Sequence, residues 1–196
     1  MSAEERERWD ARYRERGDQP AGEPSALVTG LDPLLPRAGR ALDLGGGDGR
    51  HALWLARRGL QVTIADVSPE GLGRARRLAA AAGLALETVE LDLDEATSLP
   101  PGPWALLLCF HCLWRPLPAR AAAALAPGGL LVWVQPTVRN LERHPHPSAR
   151  FLLAEGEMAR LAGDGGLEVV RLEEGWSVEG RHEALLVARR PPQLSR

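Results

Sequence analysis

The stretch ALDLGGGDGR, Ala41 to Arg50, runs an apolar segment straight into three glycines, an aspartate and a fourth glycine. Glycine lets the main chain approach a ligand closely and takes dihedrals that other residues avoid, so a bare backbone after a strand commonly cradles a nucleotide-type ligand. Two acids, Asp43 and Asp48, flank the loop. They suit a ligand presenting an ammonium better than one presenting a pyrophosphate, because like charges there are costly. The dinucleotide pattern G-x-G-x-x-G fails on Arg50 when read from Gly45. The loop is better written D-x-G-x-G-x-G, from Asp43 to Gly49.

About twenty residues on, Asp66 ends the next apolar run, where a carboxylate can accept both hydroxyls of a ribose. Asp92, inside Leu91-Asp92-Leu93, offers an acceptor for an exocyclic amine. A ribose, an adenine and an ammonium, without a phosphate, point to S-adenosylmethionine.

Other residue types invite chemistry more weakly. The run CFHC brings Cys109, His111 and Cys112 together. A closed zinc site needs four ligands and the remaining histidines supply no partner pair, so no metal is expected and the cysteines read as small apolar residues. His111 follows a strand and is the candidate catalytic base. His144 and His146, set among prolines, are candidates for the substrate pocket, as are Trp114 and Arg115. Trp9 and Tyr13 stand at i, i+4 on one face of a possible helix, either a lid or an arm docked on the core. Arg74, Arg76 and Arg77 read as a solvated face.

The elements that position these residues alternate between strand and helix. RALDL is a strand, Asp48 to Arg58 a helix ended by Gly59, and LQVTIAD a second strand. SPEGLGRARRLAAAAG opens with Ser68 at an N-cap and Pro69 at the first helical position, and Gly83 stops it. LALETVELD, WALLLCF and LLVWVQ supply three more strands, with the helix and turn of RPLPARAAAALAPGG before the last. A helix around Ala154 to Leu161 precedes LEVVRLEE and HEALLVARR, which have no helix between them and should pair antiparallel. The expected fold is α/β: a Rossmann-like, mainly parallel seven-stranded sheet with helices on both faces and a C-terminal antiparallel hairpin. Residues 1–26 read as an N-terminal arm or lid and 27–196 as the ligand-binding domain.

Composition bounds the function. A chain of 196 residues is most simply one domain, and its net charge of -2 argues against a protein whose main task is holding phosphate backbones. The charged start lacks an apolar leader, no run is long enough to span a bilayer, and two cysteines are too few for a disulfide scaffold. The expectation is a cytoplasmic protein without nucleic-acid or membrane partners, monomeric or a small homo-oligomer.

The motifs LDLGGGDGRHALWLARRGLQVTIADVSPEGLGRAR, the LDL at Leu91 and LAPGGLLVWVQPT resemble those of class I S-adenosylmethionine-dependent methyltransferases. The start WDARYRERG and the segment RFLLAEGEMARL are similar to the tellurite-resistance-like branch. The resemblance implies that Asp43, Gly45, Gly46 and Gly47 wrap the methionine end of the cofactor. It gives Asp66 and Val67 the ribose, Asp92 and Leu93 the adenine, and Cys109 a place beside the methionine portion. A cysteine is commoner where Gly46 stands. The implied activity is methyl transfer to a small-molecule acceptor, leaving S-adenosylhomocysteine; the resemblance does not name the acceptor atom. A non-catalytic cofactor-binding or regulatory module is the alternative, and a nicotinamide-dependent oxidoreductase a weaker one.

Overall fold

A computed structural model of the chain describes residues 2–17 and 19–192. The chain divides into two compact units, Met1–Pro100 and Pro101–Arg196.

The first unit holds helices α1 (Ala3–Arg16), α2 (Ala26–Thr29), α3 (Arg50–Arg57) and α4 (Pro69–Ala81), and strands β1 (Arg40–Leu44), β2 (Gln61–Asp66) and β3 (Leu86–Glu90). Strand β2 pairs in parallel with β1 on one side and β3 on the other. Leu42, Leu44, Val62 and Ile64 are buried, which is why these short runs are apolar almost throughout. In α3 the buried residues Ala52, Leu53 and Leu55 form the inward stripe. Helix α4 starts as its sequence dictates: the Ser68 hydroxyl accepts from the Gly71 N–H and Pro69 follows the cap.

Helix α1 is different. Ser2 and Glu5 close a capping box, acids occupy its first turn and arginines its last, yet its single buried residue is Asp10. It is held to the unit through polar groups.

The second unit holds β4 (Trp104–Phe110), α5 (Leu117–Ala124), β5 (Leu125–Pro136), α6 (Glu157–Asp164), β6 (Glu168–Trp176) and β7 (His182–Arg189). Strands β4 and β5 are parallel, and β7 runs antiparallel to both β5 and β6. The expected turn at LAPGG is drawn into β5: Leu125 pairs with Trp104, and the register then slips so that Leu130 pairs with Leu106. Helix α6 begins at Glu157, after Gly156 at its N-cap, a few residues later than expected. Along the whole chain the strand order is β3-β2-β1-β4-β5-β7-β6, a seven-stranded, mostly parallel sheet that ends in the antiparallel pair.

Candidate active site

The glycine loop lies at the C-terminal end of β1. The Gly47 N–H donates to Asp66 Oδ2 at 2.8 Å and the Ser68 N–H donates to Asp66 Oδ1 at 2.9 Å. Both oxygens are thus fixed, and each keeps a further lone pair toward which a pair of hydroxyls can donate. Burial pushes the Asp66 carboxyl up, against the N–H groups of Ser68, Gly47 and Val67. Val67 is buried beside it. Gly47 has φ +54, a conformation that favours glycine.

Asp43, at 1% exposure, sits beneath this loop. A Cβ on Gly46 would come within 2.8 Å of its carboxylate and of the Ile64 side chain. Gly46 therefore has a packing reason to be glycine here, beyond the backbone role expected of it. Neither Asp43 oxygen has a well-aligned hydrogen-bond partner, the nearby Ala52 N–H giving only a partial one. Burial, then the neighbouring Asp66 charge, raises its carboxyl to about 7, while the Ala52 N–H and Arg50 pull the other way. An unsatisfied buried carboxylate in a ligand-type loop marks a place for a cationic partner.

Asp48 does not share that role. The sequence pairs it with Asp43 as a counter-charge for an ammonium, but its Oδ2 accepts from Arg16 at 2.7 Å and from Arg74 at 3.2 Å. Arg74, expected on a solvated face, is 2% exposed and also donates to the carbonyls of Gly17 and Gln19. Arg76 and Arg77 are exposed as expected. Asp48 and Arg74 are thus the anchor of α1 and the chain that follows it.

The rest of that anchor was not foreseen. Asp10 Oδ1 accepts from the Ser68 hydroxyl and, at 3.4 Å, from the Glu70 N–H, which sets an acid at the N-terminus of α4. Tyr13 packs against Gly47 and Gly71; a Cβ on Gly71 would lie 2.8 Å from its ring. Burial, with Asp66 and Asp48 nearby, pushes the Tyr13 phenol up. Trp9 stacks on Tyr13 with centroids 6.0 Å apart but remains 39% exposed. The docked face of α1 is therefore Asp10 and Tyr13, one turn apart, with Trp9 at its margin.

Asp92 lies past the end of β3, partly buried, and its Oδ1 accepts from the Asp94 N–H at 2.9 Å, an Asx-type turn. Leu93 is likewise partly buried.

In the second unit, Cys109 is fully buried and its thiol donates to the Cys112 carbonyl at 3.2 Å. Among the described residues, no group of three or more His, Cys, Asp or Glu side chains is placed to hold a metal ion. His111 Nε2 meets Glu183 Oε1. Glu183, near the start of β7, is a partner that sequence reasoning missed, because a charged residue there normally points to water. Trp114 is 7% exposed. Arg115 is held by Glu157, its Nε 2.6 Å from Oε1, and by the Leu152 carbonyl at 3.5 Å. The His144 ring meets the Gly180 carbonyl at 2.7 Å, tying the long loop to the β6–β7 turn. The His146 carbonyl accepts from Asn140, and its side chain is exposed. Arg115 and His144 are thus engaged in structural contacts.

A mostly parallel sheet with an antiparallel end, a glycine loop after β1 and a clasped acid at the end of β2 form a Rossmann-like architecture, the fold that class I S-adenosylmethionine-dependent methyltransferases share. Residues 41–129 match the methyltransferase domain family. It is 27% identical over 173 residues to the tRNA 5-carboxymethoxyuridine methyltransferase of Escherichia coli strain K12, covering 77% of this chain and 66% of that protein. It is 35% identical over 145 residues to the ubiquinone biosynthesis O-methyltransferase of Aeromonas salmonicida strain A449, covering 69% of this chain and 59% of that protein. The chain spans less than two thirds of the length of these curated relatives. Among solved structures, a TehB-like SAM-dependent methyltransferase from Corynebacterium glutamicum shares the fold, with TM-score 0.68 and 20% identity over 96% of this chain and 100% of that one.

Proposed function

We propose that this chain transfers the methyl group of S-adenosylmethionine to a small-molecule acceptor and releases S-adenosylhomocysteine. The observation that carries the reading is the pair of acids in the first unit: Asp66 clasped with spare lone pairs and Asp43 buried without a well-aligned hydrogen-bond partner. Asp66 would hold the ribose hydroxyls, and Asp43, with the backbone of Gly45 to Gly47, the ammonium end. Val67, Asp92 with Leu93, and Cys109 complete the cofactor set that the family resemblance implies. The bound cofactor supplies a methyl carbon already activated by its sulfonium, so the chain's main task is to hold donor and acceptor in line. His111 is the candidate base where the acceptor arrives protonated. Tyr13 shields the loop from water on the side of α1.

A small acceptor is favoured by the net charge of -2, which provides little general attraction for a polyanion. A tRNA acceptor is the second reading, on the likeness to the Escherichia coli protein. Incubation with methyl-labelled cofactor and a panel of thiols, phenols, carboxylic acids, tellurite and bulk tRNA tests both. Label is expected in a small molecule. Label in tRNA alone would overturn the small-molecule reading. Cofactor binding without turnover of any acceptor would favour the non-catalytic module.

A further inference from the structure

His111 is the one residue other than glycine with positive φ among the described residues, at φ 58. That conformation is strained for a side chain of this kind and persists only where its surroundings impose it. Three contacts impose it here. The His111 N–H donates to the Val134 carbonyl at 2.8 Å, which keeps the backbone joined to β5 just past the end of β4. The ring meets Glu183 across the sheet, and its face lies against Phe110 with centroids 4.0 Å apart.

Glu183 occupies a strand whose neighbours Ala184 to Ala188 are all buried, opposite Pro136 of β5 and Gly175 of β6. It is 4% exposed, and its Oε2 has no hydrogen-bond partner. A half-satisfied buried carboxylate is a poor stabilising device, since a neutral side chain would fill the same place without the desolvation cost. The pairing with His111 gives it a use.

We infer that Glu183 is a positioning residue for His111, that the pair removes a proton from the methyl acceptor, and that the acceptor is therefore a hydroxyl or thiol that binds in its protonated form. This rests on the methyl-transfer reading above and narrows its substrate class. A carboxylate at Nε2 holds the hydrogen on that nitrogen and leaves the lone pair on Nδ1. In the step, the acceptor's O–H or S–H proton passes to Nδ1 as its oxygen or sulfur lone pair bonds to the methyl carbon. The carbon–sulfonium bond breaks with its electron pair going to sulfur, giving the neutral thioether. The imidazolium is countered by the Glu183 carboxylate, and the His111 side chain, 27% exposed, returns the proton to water. An acceptor that binds as an oxyanion or carboxylate would have no need of this pair.

Two measurements on the full chain test it. Nitrogen NMR of the ring should find His111 protonated on Nε2 and bare on Nδ1, with the preference lost in Glu183→Gln. In turnover with the acceptor found in the labelled panel, Glu183→Gln should lower kcat at least about tenfold, the smaller effect of losing the group that orients a functional histidine. His111→Ala should lower it by about 10²–10⁴-fold. Affinity for S-adenosylhomocysteine, read by calorimetry, should be unchanged in both, and the loss should shrink as substituents make the acceptor more acidic. A wild-type His111 protonated on Nδ1, or an unchanged kcat in Glu183→Gln with a protonated acceptor, would overturn the inference. Loss of cofactor affinity in the wild type would instead strike the methyl-transfer reading and leave the tautomer result standing.

Discussion

With both oxygens buried and without a well-aligned hydrogen-bond partner, Asp43 has its carboxyl raised to about 7, chiefly by burial and then by Asp66. An unfolded aspartate titrates near 3.9, so the folded chain holds this proton more tightly than the unfolded one. The contribution of Asp43 to stability is therefore fully present below about pH 4 and is lost as pH rises through about 7. A shift of this size corresponds to as much as about 4 kcal/mol at 1.36 kcal/mol per unit. Asp43→Asn keeps the shape and removes the titration. In urea melts from pH 4 to 8, wild type should lose stability relative to Asp43→Asn over that window. Parallel curves would mean that the carboxylate is satisfied in solution. A cationic ligand group beside Asp43 favours its ionised form, so cofactor affinity should rise with pH across the same range.

At the scale of elements, β1, β2 and β4 were legible as short, largely apolar runs, and α4 because Ser68 and Pro69 announce it. The role of α1 was not. Aromatic residues drew attention to Trp9 and Tyr13, yet the helix docks through Asp10, whose partners Ser68 and Glu70 stand some sixty residues away. Arg74 was hidden among three arginines. A signal was present: Gly71 and Leu78 lie at i−3 and i+4 from it, a small and an apolar residue on the same face. Glu183 was invisible because a charged residue at the start of a strand normally points to water. Arg74 carries the clearest prediction for this scale. Removing one partner of a buried ion pair typically costs about 3–5 kcal/mol. Arg74→Ala should lose about that much in chemical denaturation, whereas Arg77→Ala, on the exposed side of the same helix, should change stability by less than about 0.5 kcal/mol. Equal effects would mean that the arm is not anchored through Asp48 and Arg74.

At the scale of the molecule, no helix of the described chain is long and apolar enough to cross a membrane, and the net charge is near zero for its length. The first unit contains the glycine loop and its acids, and the second contains His111 with Glu183. The central claim is that this loop takes S-adenosylmethionine, and thermal denaturation with ligand tests it most directly. S-adenosylhomocysteine at 100 times its dissociation constant should stabilise the chain by about 2.7 kcal/mol. NAD and NADP at the same concentrations should leave it unmoved. Stabilisation by NAD with no response to S-adenosylhomocysteine would contradict the account.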